Sequence, residues 1–246
     1  MQIPAFPLNF LANQTIQAVR WAVEQKVDII CISWTTKSQH TPLKDAITDA
    51  VSPKKGGRQT LVFCSLADEG NYSGKVFPVG WLQDHIMSVA ATDMYGHLTP
   101  ATFQTGGEAT IQVPGEAIAL DNPSYSYRRF NEDPSNKNPN EGTLVTGSSV
   151  ATALAAGIAS LALIMLKTYN DLTDAQFDRY HTKSYMQKVF DIMGGNKMGV
   201  QLSTLFPSNP LDNTKLSALW DMERIEMGSK AYDIINLPGS RRIGRR

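Results

Sequence analysis

Gly142-Thr143-Leu144-Val145-Thr146-Gly147-Ser148-Ser149-Val150-Ala151-Thr152-Ala153-Leu154-Ala155-Ala156-Gly157-Ile158-Ala159-Ser160-Leu161-Ala162-Leu163-Ile164-Met165-Leu166-Lys167-Thr168 is the stretch around which the rest of the chain is read. A short β-prone run, 144–146, meets Gly147 and Ser148. An almost uninterrupted helix of small and apolar residues is then expected from Ser149. That places the Ser149 hydroxyl at a helix N-terminus, where unpaired N–H groups and the positive end of the dipole favour negative charge. Acyl-transfer chemistry uses such a position for a nucleophile and an oxyanion site. Two plainer readings fit the same residues. Serine is a favoured N-cap of an ordinary core helix. The uncharged run 150–166, about 17 residues long, also lies at the short limit of a membrane span, although it is rich in Ala, Gly, Ser and Thr.

Outward from this stretch, helical and extended patterns alternate. Residues 13–25 carry Ile16, Val19, Ala22 and Val23 at helix spacing behind polar Asn13 and Thr15. Val27-Asp28-Ile29-Ile30-Cys31-Ile32-Ser33 follows as a short apolar run of the kind that forms a buried parallel strand. Leu43, Ala46, Ile47, Ala50 and Val51 return to helix spacing, and Thr60-Leu61-Val62-Phe63-Cys64-Ser65 reads as a second strand. Residues 85–91 and 110–113 read as a third and a fourth. The pattern predicts an α/β fold, a three-layer parallel sheet flanked by helices. In such sheets functional groups gather beyond the C-terminal strand ends, which singles out Ser33-Trp34-Thr35-Thr36 and Ala67-Asp68-Glu69-Gly70.

Residues 121–141, rich in Asn and Pro, read as a polar surface insertion. Beyond Lys167 the character changes. Residues 173–193 are amphipathic and charged, 195–214 are loop-rich, and 215–235 suggest a further helix before a basic end at 241–246. The expected division is 1–170 for the layered domain and 171–246 for a helical, loop-rich C-terminal extension.

Twenty-three basic and twenty-three acidic residues among 246 balance the charge, which argues against nucleic acid or an anionic membrane as partner. Cys31 and Cys64 both fall in strand-like runs and are expected to be buried free thiols. With no secretory signal in the opening residues, the compartment stays open but leans intracellular. No metal-ligand spacing, phosphate-binding glycine loop or internal repeat occurs, so no metal or cofactor is expected.

Gly147-Ser148-Ser149-Val150-Ala151-Thr152-Ala153 resembles the nucleophile motif Gly-Thr-Ser-Met-Ala-x-Pro of the subtilisin-like serine proteases (peptidase S8), with Ser149 in the nucleophile position. Ser148, Val150 and Ala153 depart from the motif without touching the reacting group. The resemblance runs from about residue 13 to residue 170. Trp21-Ala22-Val23 through Ser33 is similar to the family's helix and substrate-flanking strand, and residues 43–51 to its next helix. Residues 61–70 resemble the strand ending in Gly-Asn-x-Gly, where the family has its oxyanion-hole asparagine at the position of Asp68. Ala101-Thr102-Phe103 and Val113-Pro114-Gly115 resemble the family's Ser-Phe-Ser and Ala-Pro-Gly segments.

The resemblance implies serine endopeptidase activity on a peptide or protein substrate. It implies substrate contacts from Ser33, Trp34 and Thr35 on one side and Ser65, Leu66 and Ala67 on the other. Trp34, Thr35 and Thr36 stand where the family has Leu-Gly-Gly, so the cleft is expected to be reshaped and its preference is unreadable. It also implies an Asp in an Asp-[Ser/Thr]-Gly turn and a His opening a His-Gly-Thr helix, and neither motif occurs in this sequence. His40, His85, His97 and His181 are the four histidines, and none precedes Gly-Thr. The chain is therefore expected to be the C-terminal part of a catalytic domain, N-terminally truncated, with the missing segment as its natural partner. Without a base Ser149 is a weak nucleophile. In subtilisin itself, loss of the catalytic Ser or His costs about 10⁶ in turnover, so the chain alone is expected to be inactive. At position 68 a carboxylate replaces an amide donor, and in subtilisin loss of that donor costs about 10² to 10³. The alternative is a pseudoprotease, the same fold kept as a binding or scaffolding module. A membrane-anchored protein is a third reading.

Overall fold

Four short apolar runs form one parallel sheet. In the computed structural model, which describes residues 8–52, 57–70, 74–102, 109–119, 144–169 and 172–194, β1 (Ile29–Ile32), β2 (Leu61–Ser65), β3 (Met87–Thr92) and β4 (Ile111–Pro114) lie side by side in chain order. Ile29 pairs with Leu61, Phe63 with Met87 and Val89 with Ile111, all in parallel. The polar insertion at 121–141, the segments 195–214 and 215–235 and the basic end fall outside the described residues.

Successive strand side chains point to opposite faces, and the two faces gather two separate cores. Val62, Cys64 and Ala90 meet α1 (Leu8–Glu24) and α2 (Thr41–Val51) through Ile16, Val19, Leu43, Ile47 and Val51. Leu61, Phe63, Val89, Ala91, Ile111 and Val113 meet the helices of the opposite layer. These are α3 (Ser148–Tyr169), α4 (Asp174–Arg179) and α5 (Lys183–Ile192). The result is the expected three-layer arrangement. β2 and β3 are buried along their whole length because each has a strand on either side and helices on both faces. β1 differs: among the described residues it pairs only with β2, so Ile29 and Ile30 are half-buried and Cys31 is exposed. The expectation of a buried thiol at Cys31 is therefore corrected, since an edge strand lacks the neighbour that would cover it. Cys64 is buried as expected.

The amphipathic stretch after Lys167 is two helices joined by a tight turn. Thr173 starts α4 with a capping box, accepting from the Gln176 N–H while the Gln176 side chain accepts from the Thr173 N–H. Thr182 caps α5. Phe177, Tyr180, Met186, Val189, Phe190 and Met193 join α3 in the same core, and Phe63 meets Phe190 with ring centroids 6.1 Å apart. The buried His181 holds the α4–α5 turn against the N-terminal end of β1 through Asp28, Nε2 to Oδ1 2.7 Å.

By length and composition α3 could cross a membrane, with a mean hydropathy of 2.1 over Ser148–Lys167. Here it packs across all four strands. Ala151, Ala155, Ala159, Ala162, Leu163 and Leu166 are buried against the sheet, whereas Leu154, Leu161 and Ile164 stay exposed.

Phe63 is fully buried between the sheet and α5. Phe63→Ala is expected to lower the unfolding free energy by about 3–5 kcal/mol, read from urea denaturation midpoints, and an unchanged midpoint would contradict this packing.

Candidate active site

Two strand ends and one helix start converge at the same end of the sheet. The loop after β1 carries Ser33 to Lys37, the loop after β2 carries Leu66 to Gly70, and α3 begins with Ser148 and Ser149. The chain reaches α3 through a two-stranded antiparallel ladder, β5 (Ile118–Ala119) with β6 (Leu144–Val145). The Gly147 N–H then donates to Gly115 O at 2.8 Å, and the Gly115 N–H to Thr92 O at 2.9 Å. This chain of contacts ties the start of α3 to the ends of β4 and β3. Gly115 leaves no room for a side chain: a Cβ there would lie 2.9 Å from Ala91 Cβ, Ala151 Cβ and Gly147 O.

The first turn of α3 needs acceptors for its N–H groups. Asp68, eighty residues upstream, supplies one: both its carboxylate oxygens accept from the Ser148 N–H, Oδ2 at 2.8 Å and Oδ1 at 3.1 Å. The helix dipole reinforces the placement of a negative charge here. Gly147 makes the approach feasible, with φ +149° and a would-be Cβ only 2.9 Å from Asp68 Oδ2 and 3.4 Å from Ser149 Oγ. The helix begins at Ser148, one residue before the expected start. Ser148 is fully buried, and its Oγ has no hydrogen-bond partner among the described residues.

Ser149 is exposed. Among the described residues its N–H has no hydrogen-bond partner, because an N–H in the first turn of a helix has no earlier helical carbonyl to reach; the Gly147 carbonyl receives Val150 and Ala151, at 3.0 and 3.2 Å. An exposed hydroxyl and an uncommitted N–H on the first turn of a helix are the two groups that attack on a carbonyl requires from one residue.

Ser33, Trp34 and Thr35 follow Ile32, and Ser65, Leu66 and Ala67 follow its partner Cys64, at the end of the β1–β2 ladder. Ser65, Leu66 and Ala67 have buried side chains, and the Leu66 N–H is committed to Val89 O at 3.0 Å. Trp34 packs against the core on the α1–α2 side. Thr36 exchanges both its backbone bonds with Phe77, at 3.0 and 2.9 Å, which fastens the loop after β1 to the segment before β3. Lys37 Nζ lies 2.5 Å from Glu69 Oε2, an exposed ion pair joining the two loops. Residue-by-residue motif reading gave no sign of that pair, whose partners are 32 positions apart, nor of the buried Ser148 hydroxyl.

None of the four histidines is hydrogen-bonded to Ser149 among the described residues. His85 precedes β3 and His181 sits at the start of β1, both at the opposite end of the sheet. His40 stands at the N-terminus of α2, where it makes no side-chain cap. His97 follows β3 and its Nδ1 is 3.1 Å from Asp93 Oδ2. Desolvation acts to raise the Asp93 carboxyl, but the N–H groups of His97 and Tyr95 and the His97 ring outweigh it and hold the carboxyl below its usual range. Burial, with Cys31 nearby, pushes the Cys64 thiol up. Among the described residues no group of three or more His, Cys, Asp and Glu is placed to hold a metal ion.

A sequence model of the subtilase family of peptidases matches residues 8–198. The intracellular serine protease of Paenibacillus polymyxa is 29% identical over 166 residues, which cover 67% of this chain and 42% of that protein. Subtilisin E of Bacillus subtilis is 26% identical over 178 residues, covering 71% of this chain and 40% of that protein. The chain thus spans well under half the length of these curated relatives. Among solved structures, the prenylagaramide maturation protease PagA is 20% identical, with 63% of this chain and 50% of that one covered and a TM-score of 0.47. Fervidolysin from Fervidobacterium pennivorans is 16% identical, with coverages of 74% and 25% and a TM-score of 0.47.

Gly157 inside α3 and Gly147 just before it should respond in opposite directions to alanine. Gly157 has open space where a Cβ would be, so Gly157→Ala is expected to stabilise by about 0.5–1 kcal/mol. Gly147→Ala meets a positive φ and the Asp68 carboxylate, and is expected to destabilise by about 1–3 kcal/mol. Urea titrations of both variants check this, and equal shifts would contradict it.

Proposed function

The chain belongs to the subtilase family, and we propose that Ser149 is its nucleophile in a serine endopeptidase whose Asp and His come from a segment completing the domain. The observation that carries this reading is Ser149 itself. Its side chain is exposed on the first turn of α3, with an uncommitted N–H, at the end of the sheet where strand-end loops gather. The substrate is a peptide or protein segment. It lies along Ser33, Trp34 and Thr35 on one side and the backbone of Ser65, Leu66 and Ala67 on the other, by main-chain pairing.

Ser149 Oγ attacks the scissile carbonyl, and its proton passes to the histidine of the completing segment. The negative charge that develops on the carbonyl oxygen is met by the Ser149 N–H. The amine leaves with the proton returned by that histidine, and water releases the acyl group from Ser149 by the same route. The completing segment docks at the outer edge of β1, a strand whose second edge is unpaired among the described residues. Unpaired N–H and C=O groups there are a template for another strand.

A second reading is favoured by one observation: a carboxylate, not an amide, lies against the start of α3. A carboxylate repels an oxyanion, as suits a pseudoprotease that binds without cleaving.

A fluorophosphonate probe separates the two. With the segment bearing Asp and His supplied, labelling at Ser149 is expected and is lost in Ser149→Ala. The chain alone is expected to label on the order of 10⁶ more slowly. No labelling of the completed domain, together with retained peptide binding, would establish the second reading.

A further inference from the structure

Lys37 and Glu69 join the two loops that border the candidate cleft, Nζ to Oε2 2.5 Å. Each stands on backbone that is held in place. Thr36, just before Lys37, exchanges two backbone hydrogen bonds with Phe77 at 3.0 and 2.9 Å, and its hydroxyl accepts from the Ser38 N–H, just after Lys37, at 3.1 Å. On the other loop Asp68 holds the Ser148 N–H, and the backbone at Gly70 lies so near Pro100 that a Cβ would be 2.8 Å from its carbonyl oxygen. Glu69 is therefore anchored on both sides. The two charged side chains themselves stay half exposed, 52% for Lys37 and 57% for Glu69, open to the side chain of a bound peptide. Asp68 touches the residue next to Ser149, and Glu69 follows Asp68. A carbonyl at Ser149, on a segment running between the two loops, brings the side chain beside it toward the Lys37–Glu69 bridge.

We propose that the Lys37–Glu69 pair sets which substrate side chain is accepted beside the scissile bond and selects an uncharged one, on the reading that a peptide lies along these loops with its carbonyl at Ser149. An incoming carboxylate gains Lys37 only by displacing Glu69, and then lies against it. An incoming ammonium meets the converse. Either one loses hydration without a net partner. An uncharged side chain leaves the pair intact and gives up little hydration. Asp68 is a further carboxylate nearby, committed to Ser148 at the positive end of α3. Its charge is unaltered by substitution at Lys37 or Glu69. Glu69→Gln leaves the Lys37 charge without its counter-ion and turns the preference toward acidic side chains. Lys37→Gln does the reverse.

Cleavage of p-nitroanilides of alanine peptides ending in Gln, Glu or Lys tests this in the domain completed by the segment bearing Asp and His. The quantity read is the ratio of kcat/KM for the Glu peptide to that for the Lys peptide, from which any loss of activity common to both cancels. The natural protein is expected to prefer the Gln peptide to both charged ones. Glu69→Gln should raise the ratio by about fivefold or more and Lys37→Gln should lower it by as much, with both shifts shrinking at high salt. The double variant should return toward the natural ratio. A ratio that is unchanged in both single variants, or that moves the same way in both, would mean that the pair only fastens the loops; it would overturn the selection and leave Ser149 as the nucleophile. No cleavage of any of the peptides by the completed natural domain would overturn the endopeptidase reading and the selection with it.

Discussion

The two hydrogen bonds from the Ser148 N–H to the Asp68 carboxylate are the contact on which the arrangement of this end of the molecule depends. A long apolar helix leaves its first N–H groups without acceptors, and burial of an unpaired backbone donor costs about as much as a lost hydrogen bond. Other helices of this fold solve the problem locally, as Thr173 and Thr182 do for α4 and α5. α3 instead takes its acceptor from the loop after β2, across 80 residues of sequence. The contact therefore fixes the position of Ser149 relative to the strand ends as well as starting the helix.

The rest of the molecule serves that closeness. The sheet-facing side of α3 is lined with Ala151, Ala155, Ala159 and Ala162, all buried, so the helix lies close to strands that carry the larger Phe63, Met87, Val89 and Ile111. Gly115 and Gly147 then let two backbones and a carboxylate meet where side chains would collide. On the other face, α1 and α2 hold β1 and β2 from behind, and the Thr36–Phe77 pair and the Lys37–Glu69 ion pair fasten the loops that border the candidate cleft. The exposed ion pair adds little stability, of order 0–1 kcal/mol; its effect is on where the loops sit.

The sheet was legible in the sequence because four short apolar runs separated by helix-spaced segments leave few other arrangements, and all four strands lie where those runs predict. The helix expected from Ser149 was legible too, although it starts one residue earlier, at Ser148. That shift follows from Asp68, because a cap supplied from a distant loop leaves no local signature. Cys31 was misjudged for a related reason. Its apolar run looks the same whether one neighbouring strand or two will cover it, and burial at an edge is a property of the sheet. At the site, motif reading singled out Ser149 and Asp68, and the structure puts Asp68 at the start of the helix that carries Ser149, but that reading gave no sign that Asp68 binds Ser148 through both oxygens. Nor did sequence spacing reveal that Trp34 turns into the α1–α2 core or that Thr36 pairs with Phe77. Such contacts join segments tens of residues apart, where no sequence periodicity reaches.

The Ser148 amide proton reports on the central contact directly. In amide hydrogen exchange, an N–H held by an acceptor exchanges more slowly than one left open. The Ser148 amide is expected to be protected in the natural chain and to lose that protection in Asp68→Ala, which removes the acceptor. Equal exchange of the Ser148 amide in the two proteins would contradict the contact.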